Sequence, residues 1–372
     1  MYDNKKRIIT ILIVAALIFS LFTIYIYSAQ KPALSARSAA LYEPETESFL
    51  YLENGSERLA MASTTKIMTA LLAIEKLPLD RLIEIPADAV GIEGSSLYLE
   101  AGEVLSAESL LYGLILQSAN DAAEALAIEI SGSVENFASL MNERAKSLGL
   151  SDTSFKNPHG LDDKEHYTTA HDLAIIAAEA LRNEEFRKIS SCYKKEIESS
   201  HKTRVLVNHN KLLKSYEGCI GVKTGYTKKS GRSLVSAAER DGLTLIAVTI
   251  NAPDDWRDHT ALLDYGFSQL EKILLAASGE YSFNLPVLDG DKDFVTVSNK
   301  DSIYKIFEKS DSDFDINIKL SRYTAAPISK GDILGELIFS KGGEEIARIP
   351  LTADSAVNKK ERKGLFRFFK KG

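Results

Sequence analysis

Cysteine is nearly absent from this chain: Cys192 and Cys219 are the only two among 372 residues. That number excludes a disulfide-rich scaffold and a cysteine-ligated zinc cluster; whether the two pair stays open. An excess of positive charge is also absent. There are 45 Lys and Arg against 52 Asp and Glu, a formal net charge of −7, which argues against a nucleic-acid partner. Zinc spacing is missing as well. His159, His166 and His171 lie close together, but nothing reads H-E-x-x-H or an equivalent. Their expected role is structural hydrogen bonding, and neither a metal nor a cofactor is expected.

What is present suits a globular chain long enough for two domains, with 45% hydrophobic and 26% charged residues. Both ends are basic. Lys5-Lys6-Arg7 precedes an apolar run from Ile8 to Tyr27, roughly the 20 residues needed to span a bilayer. The positive flank predicts that this end stays cytoplasmic and that the remainder is exported. The run is longer than the roughly 7–15 apolar residues of a cleaved signal. That favours an anchor, with cleavage after Ser35 as the alternative. At the other end, Lys359–Gly372 interleaves basic residues with Leu365, Phe366, Phe368 and Phe369. It reads either as a segment drawn to an anionic membrane surface or as a disordered basic tail.

Between the ends, Ser38–Tyr42 and Ser48–Leu52 read as a hairpin and Asn54-Gly55 as a turn. The helix that follows carries Ile67, Met68, Leu71, Leu72 and Leu77 on one side, a stripe that faces a core. Residues 78–105 are loop-rich, with a polar turn at Gly91–Ser96. Helices are expected from near Ser106, from Ala122, and from Val134 to Leu148, where Gly149 stops the last. Thr169 and Asp172 have capping-box spacing for a helix through Leu181. Arg232–Ala237 and Leu243–Ile250 read as strands joined at Asp241-Gly242, and His259–Leu274 as a closing amphipathic helix. From about Tyr281 to Leu351 short strands alternate with turns, without a cluster of catalytic residue types.

Chemistry concentrates at Ala62-Ser63-Thr64-Thr65-Lys66. Helical spacing puts the Ser63 hydroxyl and the Lys66 amine on one face. The amine can take the hydroxyl proton and turn a weak nucleophile into a competent one, while N–H groups at a helix start favour developing negative charge. Ser-x-x-Lys also recurs by chance, and a solvated Ser and Lys is the bland alternative. Two further motifs follow in order: Ser118-x-Asn120, between two apolar helices where capping is the alternative, and Lys223-Thr224-Gly225, on or at the end of a strand.

Together the three motifs resemble the low-molecular-mass penicillin-binding proteins that act as D-alanyl-D-alanine carboxypeptidases. Met61–Ala70, Gln117–Ala122, Asn157–Leu161 and Lys223–Thr227 are similar to that family's signature segments. The resemblance covers residues 36–275 and, more loosely, 281–351. It implies an α+β fold: a β-lactamase/transpeptidase-like catalytic domain, with an antiparallel sheet, helices and a helical subdomain, followed by a small all-β domain. The expected organisation is an anchor or signal segment at 1–30, the catalytic domain at 31–278, the β-rich domain at 279–354 and the basic aromatic tail at 355–372. The expected activity is removal of the terminal D-alanine from peptidoglycan stem peptides ending in D-Ala-D-Ala, blocked by β-lactams, at the extracytoplasmic face of the cell membrane.

The resemblance implies Ser63 as nucleophile, Lys66 as base and Ser118 as proton relay. It implies Asn120, His209, Lys223, Thr224, Gly225, Tyr226 and Thr227 for substrate binding, and the N–H groups of Ser63 and Tyr226 for the oxyanion. Lys66 serves as a base only if neutral, against an unperturbed pKa of about 10.4; burial and Lys223 as a second cation favour that form. One departure stands out. His209 falls where some family members carry an arginine for the substrate carboxylate, and a histidine of unperturbed pKa about 6.5 binds it more weakly at neutral pH. Among rival readings, a class A β-lactamase needs a deacylating glutamate, and Glu184 and Glu185 lie in a charged helical stretch instead. A cross-linking transpeptidase would use the same acyl-enzyme, but chain size and the small C-terminal domain favour the carboxypeptidase. A membrane-tethered antibiotic sensor or wall-binding protein that acylates without turnover is the non-enzyme alternative; the short stretch before the apolar run disfavours the sensor.

Overall fold

The computed structural model describes residues 31–309 and 313–361. The expected membrane segment at 8–27 and the end of the basic tail lie outside the described residues. Among the described residues no helix is long and apolar enough to cross a membrane.

The first compact unit ends at Gln269. Its chain opens with the expected hairpin, β1 (Ser38–Glu43) and β2 (Ser48–Glu53). A 3-10 turn at Ala62–Thr65 leads into α1 (Lys66–Lys76). The loop-rich stretch holds a small hairpin of β3 (Leu82–Glu84) and β4 (Val104–Ser106). Four helices follow: α2 (Ala107–Leu116), α3 (Asn120–Ser131), α4 (Val134–Ser147) and α5 (Ala170–Leu181). Local chemistry sets their ends. The Ser106, Ser133 and Thr169 hydroxyls accept from the N–H groups of Ser109, Asn136 and Asp172 at the starts of α2, α4 and α5. Asn183 caps α6 (Glu184–Ser191) in the same way. A second small hairpin pairs β5 (Lys194–Glu198) with β6 (Thr203–Val207). The long strands β7 (Cys219–Thr227), β8 (Gly231–Arg240) and β9 (Leu243–Ile250) come last. Asp241 and Gly242 both take positive φ, 50° and 76°, the geometry of a tight hairpin turn.

The main sheet runs β2-β1-β9-β8-β7, antiparallel throughout. Alternate residues serve opposite faces. Ala40, Tyr42, Ile246 and Val248 join the large core that contains α1 to α5. On the other face, Leu41 and Leu245 meet Gly266 of the closing helix α7 (Asp255–Gln269). Sequence periodicity predicts that helix over His259–Leu274. The observed helix starts and stops earlier, because Leu270–Ala276 forms β10, paired with β13 (Ile303–Glu308). A short apolar run suits a helix or a strand, and the pairing partner decides.

The second unit, from Leu270, is all-β among its described residues. Between β10 and β13 come β11 (Ser282–Leu288) and β12 (Phe294–Ser298), and after them β14 (Asp315–Leu320), β15 (Thr324–Ala325), β16 (Ile333–Lys341) and β17 (Glu344–Ala353). Six of these form a sheet ordered β14-β16-β17-β12-β11-β15. It has its own core, including Leu285, Val297, Leu337, Phe339 and Leu351. The compact units therefore divide at 269/270, where composition suggested 278/279, since β10 pairs inside the second unit.

Candidate active site

Ser63 sits in the 3-10 turn ahead of α1, not inside the α-helix. Side chains three apart eclipse on a 3-10 turn, and Lys66 Nζ lies 3.0 Å from Ser63 Oγ. The residue before Ser63 is held in an unfavourable conformation, Ala62 at φ 49°. Several contacts enforce it. Thr65 Oγ1 donates to Ala62 O at 2.8 Å. His166 Nδ1 accepts from Lys156 N, so its neutral ring carries the proton on Nε2, 2.8 Å from Thr65 Oγ1. Two glycines let backbone approach. A Cβ on Gly160 would stand 1.9 Å from Ala62 O, and one on Gly225 would stand 3.2 Å from the backbone nitrogens of Ser63 and Thr64.

Lys66 is fully buried. Burial pushes its amine well below the usual lysine range, the Lys223 charge adds to that, and Asp121 opposes it. A neutral amine has two N–H bonds and one lone pair. Asn120 Oδ1 at 2.7 Å and the His159 carbonyl at 2.6 Å take the two N–H bonds. The lone pair is left for the Ser63 hydroxyl. Asn120 is locked in turn, since its Nδ2 donates to Glu93 O and its backbone N to Ser95 O. The neighbouring Asp121 accepts from Ser96 Oγ, Leu97 N and Leu99 N, which fixes the 91–99 segment beside the site.

The remaining expected residues fall as follows. Ser118 lines the cavity in front of Ser63, its backbone left-handed at φ 60°. Lys223 is buried on β7, its Nζ donating to Thr224 O at 2.8 Å, and burial pushes its pKa down to about 7. Thr224, Gly225 and Tyr226 line the cavity, and Tyr226 is exposed. Thr227 is turned elsewhere: its hydroxyl bonds to Asp162 Oδ1 and Ser230 Oγ, each at 3.0 Å, in the turn after β7. His209 lines the same cavity, and part burial, then the Lys223 charge, push its ring below the ordinary histidine value. Both causes disfavour a positive charge on that ring.

The cavity, about 590 Å³, also has walls that sequence reasoning missed: Ser95, Tyr193, Asn208, Lys211, Arg232, Asp255 and Trp256. Arg232 lies on β8 directly opposite Tyr226 of β7, next to the strand that carries Lys223-Thr224-Gly225, and lines the same cavity. Asp255 Oδ1 accepts from Arg232 Nε and an Nη at 3.0 and 2.8 Å, and the Trp256 ring lies 5.6 Å from its guanidinium carbon. The available sequence signal was the chain's single tryptophan beside an acid at a helix start. Of the three clustered histidines, His159 and His166 serve the Ser63 turn through backbone and ring contacts, while His171 stacks on Phe49.

Comparisons with known proteins agree with this arrangement. Residues 26–254 match the family described as D-alanyl-D-alanine carboxypeptidase, and residues 270–359 match the penicillin-binding protein 5 C-terminal domain. The D-alanyl-D-alanine carboxypeptidase DacF of Bacillus subtilis is 38% identical over 338 residues, 88% of this chain and 87% of its own. DacC of Escherichia coli is 31% identical, covering 87% of this chain and 84% of its own. The crystal structure of penicillin-binding protein 5 from Haemophilus influenzae aligns with a TM-score of 0.65 at 29% identity, over 89% of this chain and 99% of that one. A Streptomyces DD-transpeptidase aligns with a TM-score of 0.62 at 32% identity, over 64% of this chain and 99% of its own. By these matches and by its fold, the chain belongs to the D-alanyl-D-alanine carboxypeptidase family and carries the C-terminal domain of penicillin-binding protein 5.

Proposed function

We propose that this protein removes the terminal D-alanine of peptidoglycan stem peptides through an acyl-enzyme on Ser63, and that β-lactams block it by forming a stable ester on the same oxygen. The observation that carries the reading is the buried Lys66 amine, 3.0 Å from Ser63 Oγ and 2.7 and 2.6 Å from two acceptors, Asn120 Oδ1 and the His159 carbonyl, in surroundings that favour its neutral form. Lys66 takes the hydroxyl proton as Ser63 Oγ bonds to the carbonyl carbon of the penultimate D-alanine. The oxyanion is received by the N–H groups of Ser63 and Tyr226. The carbon–nitrogen bond then breaks, and Ser118 relays the proton from Lys66 to the departing amine. Water attacks the ester by the same proton path in reverse, releasing the shortened peptide and restoring Ser63.

The substrate's terminal carboxylate is held by protonated Lys223 and the Thr224 hydroxyl. Arg232, oriented by Asp255, takes the place once expected of His209. Asn120 keeps one Nδ2 N–H beyond its bond to Glu93 O for the substrate amide oxygen. Gly225 admits the close approach of β7 to the Ser63 turn, and Thr227 fixes the end of β7 so that the Tyr226 N–H faces the site. The protein works at the extracytoplasmic face of the membrane, attached through residues 8–27, where its polymeric substrate lies. Incubation with a peptide ending in D-Ala-D-Ala should release free D-alanine, and fluorescent penicillin should label the chain. Ser63→Ala should lose both signals; a Ser63→Ala protein that still labels would sink the assignment.

A further inference from the structure

One of the two acceptors for Lys66 is a backbone carbonyl, and a carbonyl is only as well placed as the loop that carries it. The Asn157–Leu161 loop is held from several sides. Asn157 Oδ1 accepts from Gly160 N at 2.7 Å and Asn157 Nδ2 donates to Leu161 O at 2.9 Å. Thr69 Oγ1 of α1 donates to Pro158 O at 2.6 Å. The His159 ring makes the last link. Its Nδ1 accepts from Leu161 N at 3.2 Å, so the neutral ring carries its proton on Nε2. That nitrogen lies 3.3 Å from Glu124 Oε2, a buried oxygen without a hydrogen-bond partner of its own. Glu124 stands on α3 one turn beyond Asn120, on the same helix face. One face of α3 thus supplies the first acceptor for Lys66 directly and grips the second through the His159 ring.

We propose that Glu124 is a positioning residue for Lys66: it anchors His159 so that the His159 carbonyl takes one Lys66 N–H and the amine's lone pair stays turned to the Ser63 hydroxyl. Glu124 touches neither Ser63 nor the cavity. Without it the ring loses its outer anchor and the carbonyl moves away from Nζ. The released N–H then points at Ser63 Oγ, which accepts a hydrogen bond instead of giving up its proton. An amide at this position still offers an acceptor to the Nε2–H, whereas a methyl does not.

The inference rests on the function proposed above, and one experiment separates the two. The full chain and its Glu124→Ala and Glu124→Gln variants are acylated with a fluorescent penicillin over a range of concentrations, giving the limiting rate and the half-saturating concentration separately. Active-site titration and thermal midpoints are measured on the same samples. Glu124→Ala should slow the limiting acylation rate about ten-fold, as sub-ångström misplacement of a catalytic base does, with the half-saturating concentration, titratable fraction and midpoint unchanged. Glu124→Gln should retain most of the rate. A Glu124→Ala protein that acylates at the full rate overturns the proposal. So does a Glu124→Gln protein as slow as Glu124→Ala, or a loss confined to the titratable fraction. Wild-type protein that fails to label overturns the proposed function, and this inference with it.

Discussion

Two buried lysines share this site, and the proposed mechanism requires their protonation states to differ. Lys66 acts when neutral, so activity is lost as pH falls and its amine takes up a proton. Lys223 holds a carboxylate when protonated, and burial has brought its pKa down to about 7. The free enzyme should therefore lose kcat/KM as pH rises through about 7. A bound carboxylate favours the protonated amine, so the alkaline limb of kcat should lie at higher pH than that of kcat/KM. A pH–rate series on a D-Ala-D-Ala peptide checks this, and coincident alkaline limbs would contradict it. Arg232 makes a second residue-scale prediction. Arg232→Gln should raise KM about ten-fold or more, the loss of one charge-assisted carboxylate contact, with little change in kcat. Ser63, Lys66, Ser118 and Lys223 were legible in the chain because their spacing is local to one element each. Arg232 and Asp255 were not, because 23 residues separate them and only the docking of α7 beside β8 joins them.

At the scale of elements, the site depends on three pieces of backbone meeting closely: the 3-10 turn at Ala62–Thr65, the Asn157–Leu161 loop and β7. Glycine is what allows each meeting. Gly160 has φ 91° and no room for a Cβ against Ala62 O. Gly160→Ala should destabilise the protein by about 2 kcal/mol or more through strain and overpacking, read as a lowered thermal midpoint. Its acylation rate per titratable site should also fall, because Ala62 carries the pressure into Ser63. Unchanged stability would mean the loop has slack that the contacts deny. Helix positions followed well from sequence, since the caps at Ser106, Ser133 and Thr169 are local chemistry. The helix expected at His259–Leu274 was displaced because both its start, at buried Asp255, and its stop, at β10, are set by distant partners.

At the scale of the molecule, the two units have separate cores, and every residue lining the cavity precedes Gln269. A chain of residues 31–269 should therefore still be labelled by fluorescent penicillin, and complete loss of labelling from a folded fragment would refute that. The aligned Streptomyces DD-transpeptidase spans only 64% of this chain, in keeping with a catalytic unit that stands alone. Acid stability of that unit follows from its buried histidines. Burial lowers His166 to about 4 and His259, held between Ser236 and Thr249, to about 3. Both are neutral when folded, while the unfolded chain takes up protons below about 6.5. Stability should be level with respect to these groups above that pH. It should then fall by about 1.4 kcal/mol per pH unit for each as pH drops toward 4 and 3. Denaturant melts of wild type and His259→Gln between pH 7 and 4 would show the slope reduced by one proton.

By itself the sequence determined the family, the α+β order of elements and the change of character toward an all-β C-terminal unit, and it pointed to Ser63 and Lys66 as the proposed nucleophile and base. Each of these is written in short-range patterns: motif spacing, helical and strand periodicity, turn and cap residues. The tertiary structure decided what lies between the motifs. It put Asn120 and the His159 carbonyl within hydrogen-bond reach of Lys66, turned the Thr227 hydroxyl toward Asp162 and Ser230, and brought Arg232 to the cavity wall along with His209. Those outcomes depend on how a loop, a helix and a strand edge pack against one another, and packing between segments far apart in the chain leaves no local trace in the order of residues.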